Sequence, residues 1–192
     1  MHSTILASSS PRRRELLTLV GIAHRVRPAD IDETILPGET PEVHALRLAC
    51  EKAEVVAREH RSELVIAADT IVVLDGEILG KPKSDDEARQ MLGRLSGRTH
   101  TVVTGMACSL EGRTSSGVEK VSVTFRDLTE AEIIDYVETR EPMDKAGAYG
   151  IQGYGATIVR RIDGDFFAVM GLSLVRLTGL MSEVGVTYDF PR

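Results

Sequence analysis

The stretch LVIAADTIVVL, residues 64–74, decides how the rest of the chain is read. Its near-continuous apolar run, rich in β-branched side chains, is that of a strand covered on both faces. Asp75-Gly76 then predicts a tight hairpin into a short strand over residues 77–79. Upstream, residues 4–7 read as a short buried strand followed by a Ser8-Ser9-Ser10 turn. Pro11 suits a first helical position with Ser10 as N-cap. Leu16, Leu17, Leu19 and Val20 would form that helix's apolar face, and Gly21 would stop it. A second helix is expected from about Thr40-Pro41 to about His60, with apolar residues at helical spacing.

Downstream, Ser84 with Glu87 is a capping box for a helix over residues 85–95. Residues 99–110 and 118–125 read as two long strands joined by a connection over 111–117. Thr129 caps a helix over 130–138, with Ile133, Ile134 and Val137 inward. Residues 144–155 read as a glycine-rich loop, 157–162 as a strand, and about 172–184 as the last helix. Strands alternating with helices, joined by both hairpins and crossovers, predict an α/β fold. A mixed central sheet with flanking helices would form two lobes around a cleft, all in a single domain over residues 1–192.

Composition narrows the function classes. At 42% hydrophobic, the 192 residues can bury a core without disulfide or metal staples. The two cysteines, Cys50 and Cys108, are too few for a disulfide scaffold or a zinc site built on thiolates. No apolar run approaches the ~18–20 residues that span a bilayer. The opening MHSTILASSS has no cationic segment followed by an apolar one, so a cytoplasmic location is expected. Twenty-three basic against 29 acidic residues argue against nucleic-acid or membrane partners. Eight Phe and Tyr with no Trp offer no stacking platform for bases. A homodimer is a candidate assembly. Within this acidic chain, residues 1–27 carry five arginines and a single glutamate, a local basic zone suited to an anion.

The side chains that could carry chemistry form no standard signature. There is no phosphate-binding G-x-x-x-x-G-K-[ST], no dinucleotide G-x-G-x-x-G after a strand, no H-E-x-x-H and no G-x-S-x-G. The segment SSSPRRR, residues 8–14, places Arg12, Arg13 and Arg14 in the first turn of a helix. Cations are disfavoured there by ~0.3–1 kcal/mol each. The placement makes sense if an anion is held by backbone N–H groups, serine hydroxyls and arginine forks together. Asp69 lies inside the apolar strand, where an unpaired carboxylate would cost several kcal/mol. It must therefore be ion-paired, protonated, bound to metal or placed where the strand opens to a ligand. Glu33, Lys52 and Lys81 are individually weak signals, although Gly80 and Pro82 fix the backbone around Lys81. In DKAGAYGIQG, residues 144–153, Gln152 offers a donor and an acceptor to a planar ligand.

Five ordered blocks, LASSSPRR, AADTIVVLDGEILGKP, LSGRTHTVVTG, EPMDKAGAYGIQG and FFAVMGL, resemble the Maf family of nucleoside triphosphate pyrophosphatases from Ile5 to about Leu174. The resemblance implies a long, curved sheet similar to that of the inosine triphosphate pyrophosphatases. It also implies cleavage of a nucleoside triphosphate to monophosphate and pyrophosphate, assisted by a divalent cation such as magnesium or manganese. On this resemblance Asp69 matches the catalytic proton acceptor, and Ser8, Arg12, Arg13, Glu33, Lys52 and Lys81 match polar residues of the family's cleft. Ser8, Arg13, Lys52 and Lys81 become candidate phosphate ligands, and Asp69 with Glu33 the candidate metal pair. Arg12, Thr70 and Gln152 fall at specificity positions, and with the glycine loop they look like the branch acting on dTTP and UTP. One departure is Ser173, where the family usually has proline; a serine is itself a good helix cap.

The competing reading is a non-catalytic nucleotide-binding regulator of cell division. The basic loop serves it equally well. Asp69 does not, because a binder of polyanions gains nothing from a carboxylate in its site.

Overall fold

The computed structural model describes residues 2–190. Its strands are β1 (Thr4–Leu6), β2 (Arg25–Val26), β3 (Leu64–Leu74), β4 (Glu77–Leu79), β5 (Thr99–Leu110), β6 (Arg113–Phe125) and β7 (Val159–Asp163). The helices are α1 (Pro11–Leu19), α2 (Pro41–Glu59), α3 (Asp85–Leu95), α4 (Glu130–Glu138), α5 (Phe166–Met170) and α6 (Leu174–Glu183). The strands form one mixed sheet in the order β2-β1-β3-β5-β6-β7, with β4 also paired to β3. β1 runs parallel to both β2 and β3, whereas β4 on β3 and β7 on β6 are antiparallel. Along β3, β1 covers Leu64–Ile66 and β4 covers Val72–Leu74. Asp69 falls in the stretch that neither short strand pairs.

The chain gathers into two compact units. The first comprises the chain up to Asp69, Thr104–Glu119 and the chain from Gly171 onward; the second comprises Thr70–Val103 and Lys120–Met170. In the first unit, α2 begins on Pro41 with Thr40 as its cap, the Thr40 Oγ1 accepting from Val43 N at 3.3 Å. Its buried face is built from Ala45, Leu48, Ala49, Ala53 and Val56 at helical spacing. Ala49, Ala53 and Val56 pack with Ile5, Ala7, Val65, Ala67 and Ala107. The alanines let the helix lie close to the strands. At Gly105 the approach is so tight that a Cβ would collide with the Ala45 carbonyl. In the second unit, His100, Phe125 and Tyr149 pack edge to face, with ring centroids 4.7–5.2 Å apart. Among the described residues no helix is long and apolar enough to cross a membrane.

Several expectations need correction. The connection expected over 111–117 is a two-residue turn, Glu111-Gly112, and β6 begins at Arg113. The polar run RTSSG hides the strand because that end of β6 is largely solvated and buries no apolar face. Leu19 is exposed rather than packed, and β2 was not anticipated. β7 starts at Val159, because Gly153–Thr157 form a helical turn. The last helix falls where expected, as α6, but the short α5 before it was not anticipated; Gly171, with its positive φ of 116°, separates the two. Ser173 caps α6, its Oγ accepting from Arg176 N at 3.2 Å. At α3, Ser84 caps Glu87 N, but the Glu87 carboxylate reaches Lys83 N, one residue earlier than the N-cap.

Candidate active site

The close seating of α2 sets the reach of Lys52. It stands one turn on from Ala49 on the buried face, and its ammonium donates to Asp69 Oδ1 at 2.7 Å. Asp69 and Lys52 are only 7% and 8% exposed, so each charge removes the other's burial cost. Of the states open to Asp69, the structure shows the ion pair. The same ammonium lies 2.6 Å from Glu33 Oε1, whose side chain is more than half exposed. Two carboxylates thus converge on one cation.

Arg13 projects from the first turn of α1 and is buried despite its charge. Its Nε donates to the Gly171 carbonyl and its Nη1 to Ser8 Oγ, both at 2.9 Å. Burial lowers its pKa, the charge of Asp69 pushes it back up, Arg12 lowers it and Glu33 raises it. Arg13 therefore lies within the fields of both Asp69 and Glu33. Ser8 Oγ also accepts from Ser10 N at 3.2 Å. With two acceptor positions used, its O–H is the group it can offer a phosphate oxygen. Arg12 is half-buried beside Arg13, while Arg14 points to solvent.

A second cluster holds the loop that carries Glu33. Arg47 donates to the Thr34 carbonyl at 3.0 Å, to both oxygens of Glu39, and to Glu51 one helical turn away. His44 Nδ1 lies 3.1 Å from Glu39 Oε2. The Arg47 hydrogen bond, outweighing desolvation, pulls the Glu39 carboxyl down to about 2. Residue-by-residue reading missed Gly171, Glu39 and Arg47. A carbonyl leaves no side-chain signal, and the eight-residue spacing of Glu39 and Arg47 spans a helix start. Only the Arg47–Glu51 spacing was legible.

The remaining candidates belong to the second unit. Thr70 is half-buried on β3, and alternation along the strand turns it to the face opposite Asp69. Lys81 is exposed, in a segment where Gly80 O accepts from Gly147 N at 3.0 Å. Gln152 is exposed in the glycine-rich loop. His100, expected to be a packed residue, is buried with Nε2 2.7 Å from Tyr149 Oη, and burial lowers its pKa to about 4.

Residues 3–184 match the family described as Maf-like protein. The chain belongs to that family. Two proteins named dTTP/UTP pyrophosphatase are similar to this Maf-like chain. That of Aquifex aeolicus (strain VF5) is 48% identical over 182 residues, 95% of each chain. That of Clostridioides difficile (strain 630) is 49% identical over 181 residues, 93% of each. Among solved structures, a HAM1 protein from Coxiella burnetii superposes with a TM-score of 0.52 at 18% identity, over 95% of this chain and 100% of that one. The Staphylococcus aureus Ham1 protein gives 0.50 at 17%, over 96% and 91%. At such identities the likeness is one of fold.

The donor set of the Maf-like chain discriminates between kinds of metal site. Among the described residues no group of three or more His, Cys, Asp or Glu could hold an ion, so an all-protein cage is not what the residues build. Asp69 and Glu33 are hard oxygen donors brought together at the Lys52 ammonium. That fits magnesium or manganese, which commonly take one or two carboxylates and fill the remaining positions with phosphate oxygens and water.

Proposed function

We propose that this chain hydrolyses dTTP and UTP to the nucleoside monophosphate and pyrophosphate. The observation that carries the reading is Asp69, an almost buried carboxylate in an apolar strand, hydrogen-bonded to Lys52 and within the field of Arg13. The similar proteins named dTTP/UTP pyrophosphatase support the substrate class. In the reaction a water oxygen attacks the α-phosphorus, and the bond from that phosphorus to the α–β bridging oxygen breaks. Pyrophosphate leaves with the electron pair. Asp69 accepts the water proton, Lys52 orients Asp69 through its hydrogen bond, and Arg13 with Ser8 binds phosphate oxygens. Asp69 and Glu33 would hold a magnesium or manganese ion, which supplies charge neutralisation on the phosphates and a more acidic bound water. The two carboxylates offset Arg13 and Lys52, so a triphosphate needs further positive charge; Arg12 and Lys81 are the chain's own candidates.

Base preference rests on Arg12, Thr70 and Gln152. A Gln152 amide can flip to meet either uracil or cytosine. Arg12 only donates, pairing with O4 of uracil or thymine and opposing the amino group of cytosine. A cytoplasmic location, a homodimer and the lack of a nucleic-acid partner belong to the same reading. It is tested with UTP, dTTP, CTP and GTP plus magnesium or manganese, resolving products in ¹⁸O-water. Label is expected in the monophosphate, with UTP and dTTP favoured over CTP by about one to two decades in kcat/KM. Release of orthophosphate would overturn the scission point, and equal kcat/KM for UTP and CTP the base reading. Tight nucleotide binding without turnover would favour the regulator.

A further inference from the structure

We propose that Glu141 is the positioning residue for Gln152: its carboxylate holds the turn that carries the base-reading side chain. This rests on the base preference assigned above to Gln152.

Gln152 is exposed, so packing does not aim its side chain; its backbone must. That backbone is fixed from both sides by one hub. Glu141 Oε1 accepts from Gly155 N at 2.9 Å and from Tyr136 Oη at 2.8 Å, and Oε2 accepts from Tyr154 N at 2.9 Å. Tyr136 Oη in turn accepts from Gly150 N at 3.1 Å. Three backbone N–H groups flanking Gln152, at 150, 154 and 155, therefore end on two side chains of the same unit. Gly153 has φ +63°, and a Cβ there would strike the Glu141 carboxylate; one at Gly155 would strike the Gly150 carbonyl and Tyr136 Oη. The turn is closed around the hub with no room for larger residues.

The partners of the Glu141 carboxylate are neutral N–H and O–H donors, and Lys145 donates instead to the Glu141 carbonyl at 2.5 Å and to Asp144. An ionised acceptor makes each such bond stronger than a neutral one. A glutamine at 141 would fill the same space and keep one acceptor oxygen. Its amide N–H would then face the Tyr154 N–H, donor against donor.

The test measures kcat/KM for UTP and CTP, with thermal melts, in the wild-type chain, Glu141→Gln, Gln152→Ala and the double variant. Gln152 can meet either pyrimidine, so its part is to seat the base edge for Arg12, the group that only donates; with that seat lost, each single variant is expected to cut the UTP:CTP ratio about tenfold. The double variant should be no worse than Gln152→Ala alone, because Glu141 acts through Gln152. A merely structural role would lower the melt and leave that ratio unchanged. If Glu141→Gln fails to fold, Tyr136→Phe, which frees Gly150 N and removes one donor from Glu141, should cut the ratio about threefold. Gln152→Ala cutting the ratio while Glu141→Gln, or in its place Tyr136→Phe, does not would overturn the positioning role alone. A multiplicative loss in the double variant would do the same. An unchanged ratio in Gln152→Ala would overturn the base reading and this inference together.

Discussion

In the first unit, Arg13, Lys52, Asp69 and Glu33 form a region where charged groups lie against one another, three of them almost out of water. In the second, the loop around Gln152 is held by backbone N–H groups, a tyrosine hydroxyl and one carboxylate, and its Tyr149 packs edge to face with His100 and Phe125. The two arrangements fail differently. Removing one member of a buried charge pair strands the other, so chemistry and stability fall together. Loosening one neutral hydrogen bond costs little stability, but it displaces the backbone that aims a side chain. The charged region suits the proposed reaction on phosphate; the hydrogen-bonded loop suits the proposed discrimination between bases.

The strongest way to break this contrast is Asp69→Asn. The amide oxygen still accepts from Lys52, whose charge keeps Glu33 as its partner, so the fold should survive, while loss of the proton acceptor should lower kcat by ~10²–10⁴. Near-normal kcat, measured by pyrophosphate release, would remove Asp69 from the mechanism.

Lys52→Met set against Lys81→Met comes next. Lys52 is buried and its loss strands Asp69, a cost of ~3–5 kcal/mol in denaturant unfolding. Lys81 is exposed, and its replacement should stay within about 0.5 kcal/mol. Equal stabilities would erase the distinction between the two lysines.

The second unit has its own titration. His100 is held neutral, its pKa lowered from 6.5 to about 4, whereas the unfolded chain takes up the proton near the ordinary value. The contribution is therefore complete above pH 6.5 and lost as pH falls toward 4. It amounts to about 3 kcal/mol, the size expected of a shift of this order. His100→Leu should flatten stability across that window. A slope identical to wild type would show that another group titrates there.

Arg47→Lys is expected to have the smallest effect. A lysine cannot span the Thr34 carbonyl, Glu39 and Glu51 as the guanidinium fork does, so the loop bearing Glu33 should loosen. A two- to threefold fall in kcat/KM is the expected scale, about 0.5 kcal/mol. A fall as large as that of Asp69→Asn would mean that Glu33 does more than share Lys52.

Where an element declares itself by local chemistry, sequence reading places it well. β3, its Asp75-Gly76 turn, β4, α3 and α4 fall where apolar runs, turn residues and caps put them. It does less well where the local signal is blank. The polar start of β6 and the five-residue α5 are examples, since neither buries a continuous apolar face that would mark it.

The site divides along the same line. Asp69 is conspicuous because a carboxylate inside LVIAADTIVVL violates the burial rule for its own strand, and three arginines at a helix start violate the dipole rule. Such contradictions are local, so the sequence by itself determined which residues need an explanation. Which partner resolves each contradiction is a long-range matter. Lys52 is 17 residues from Asp69 and Gly171 is 158 from Arg13; neither spacing repeats with helix or strand period. Glu141 meets the N–H groups of residues 154 and 155 only because the glycines at 153 and 155 let the chain close around it. Tertiary structure alone decided these pairings: a buried charge or donor accepts whichever partner the packing of the backbone brings within about 3 Å.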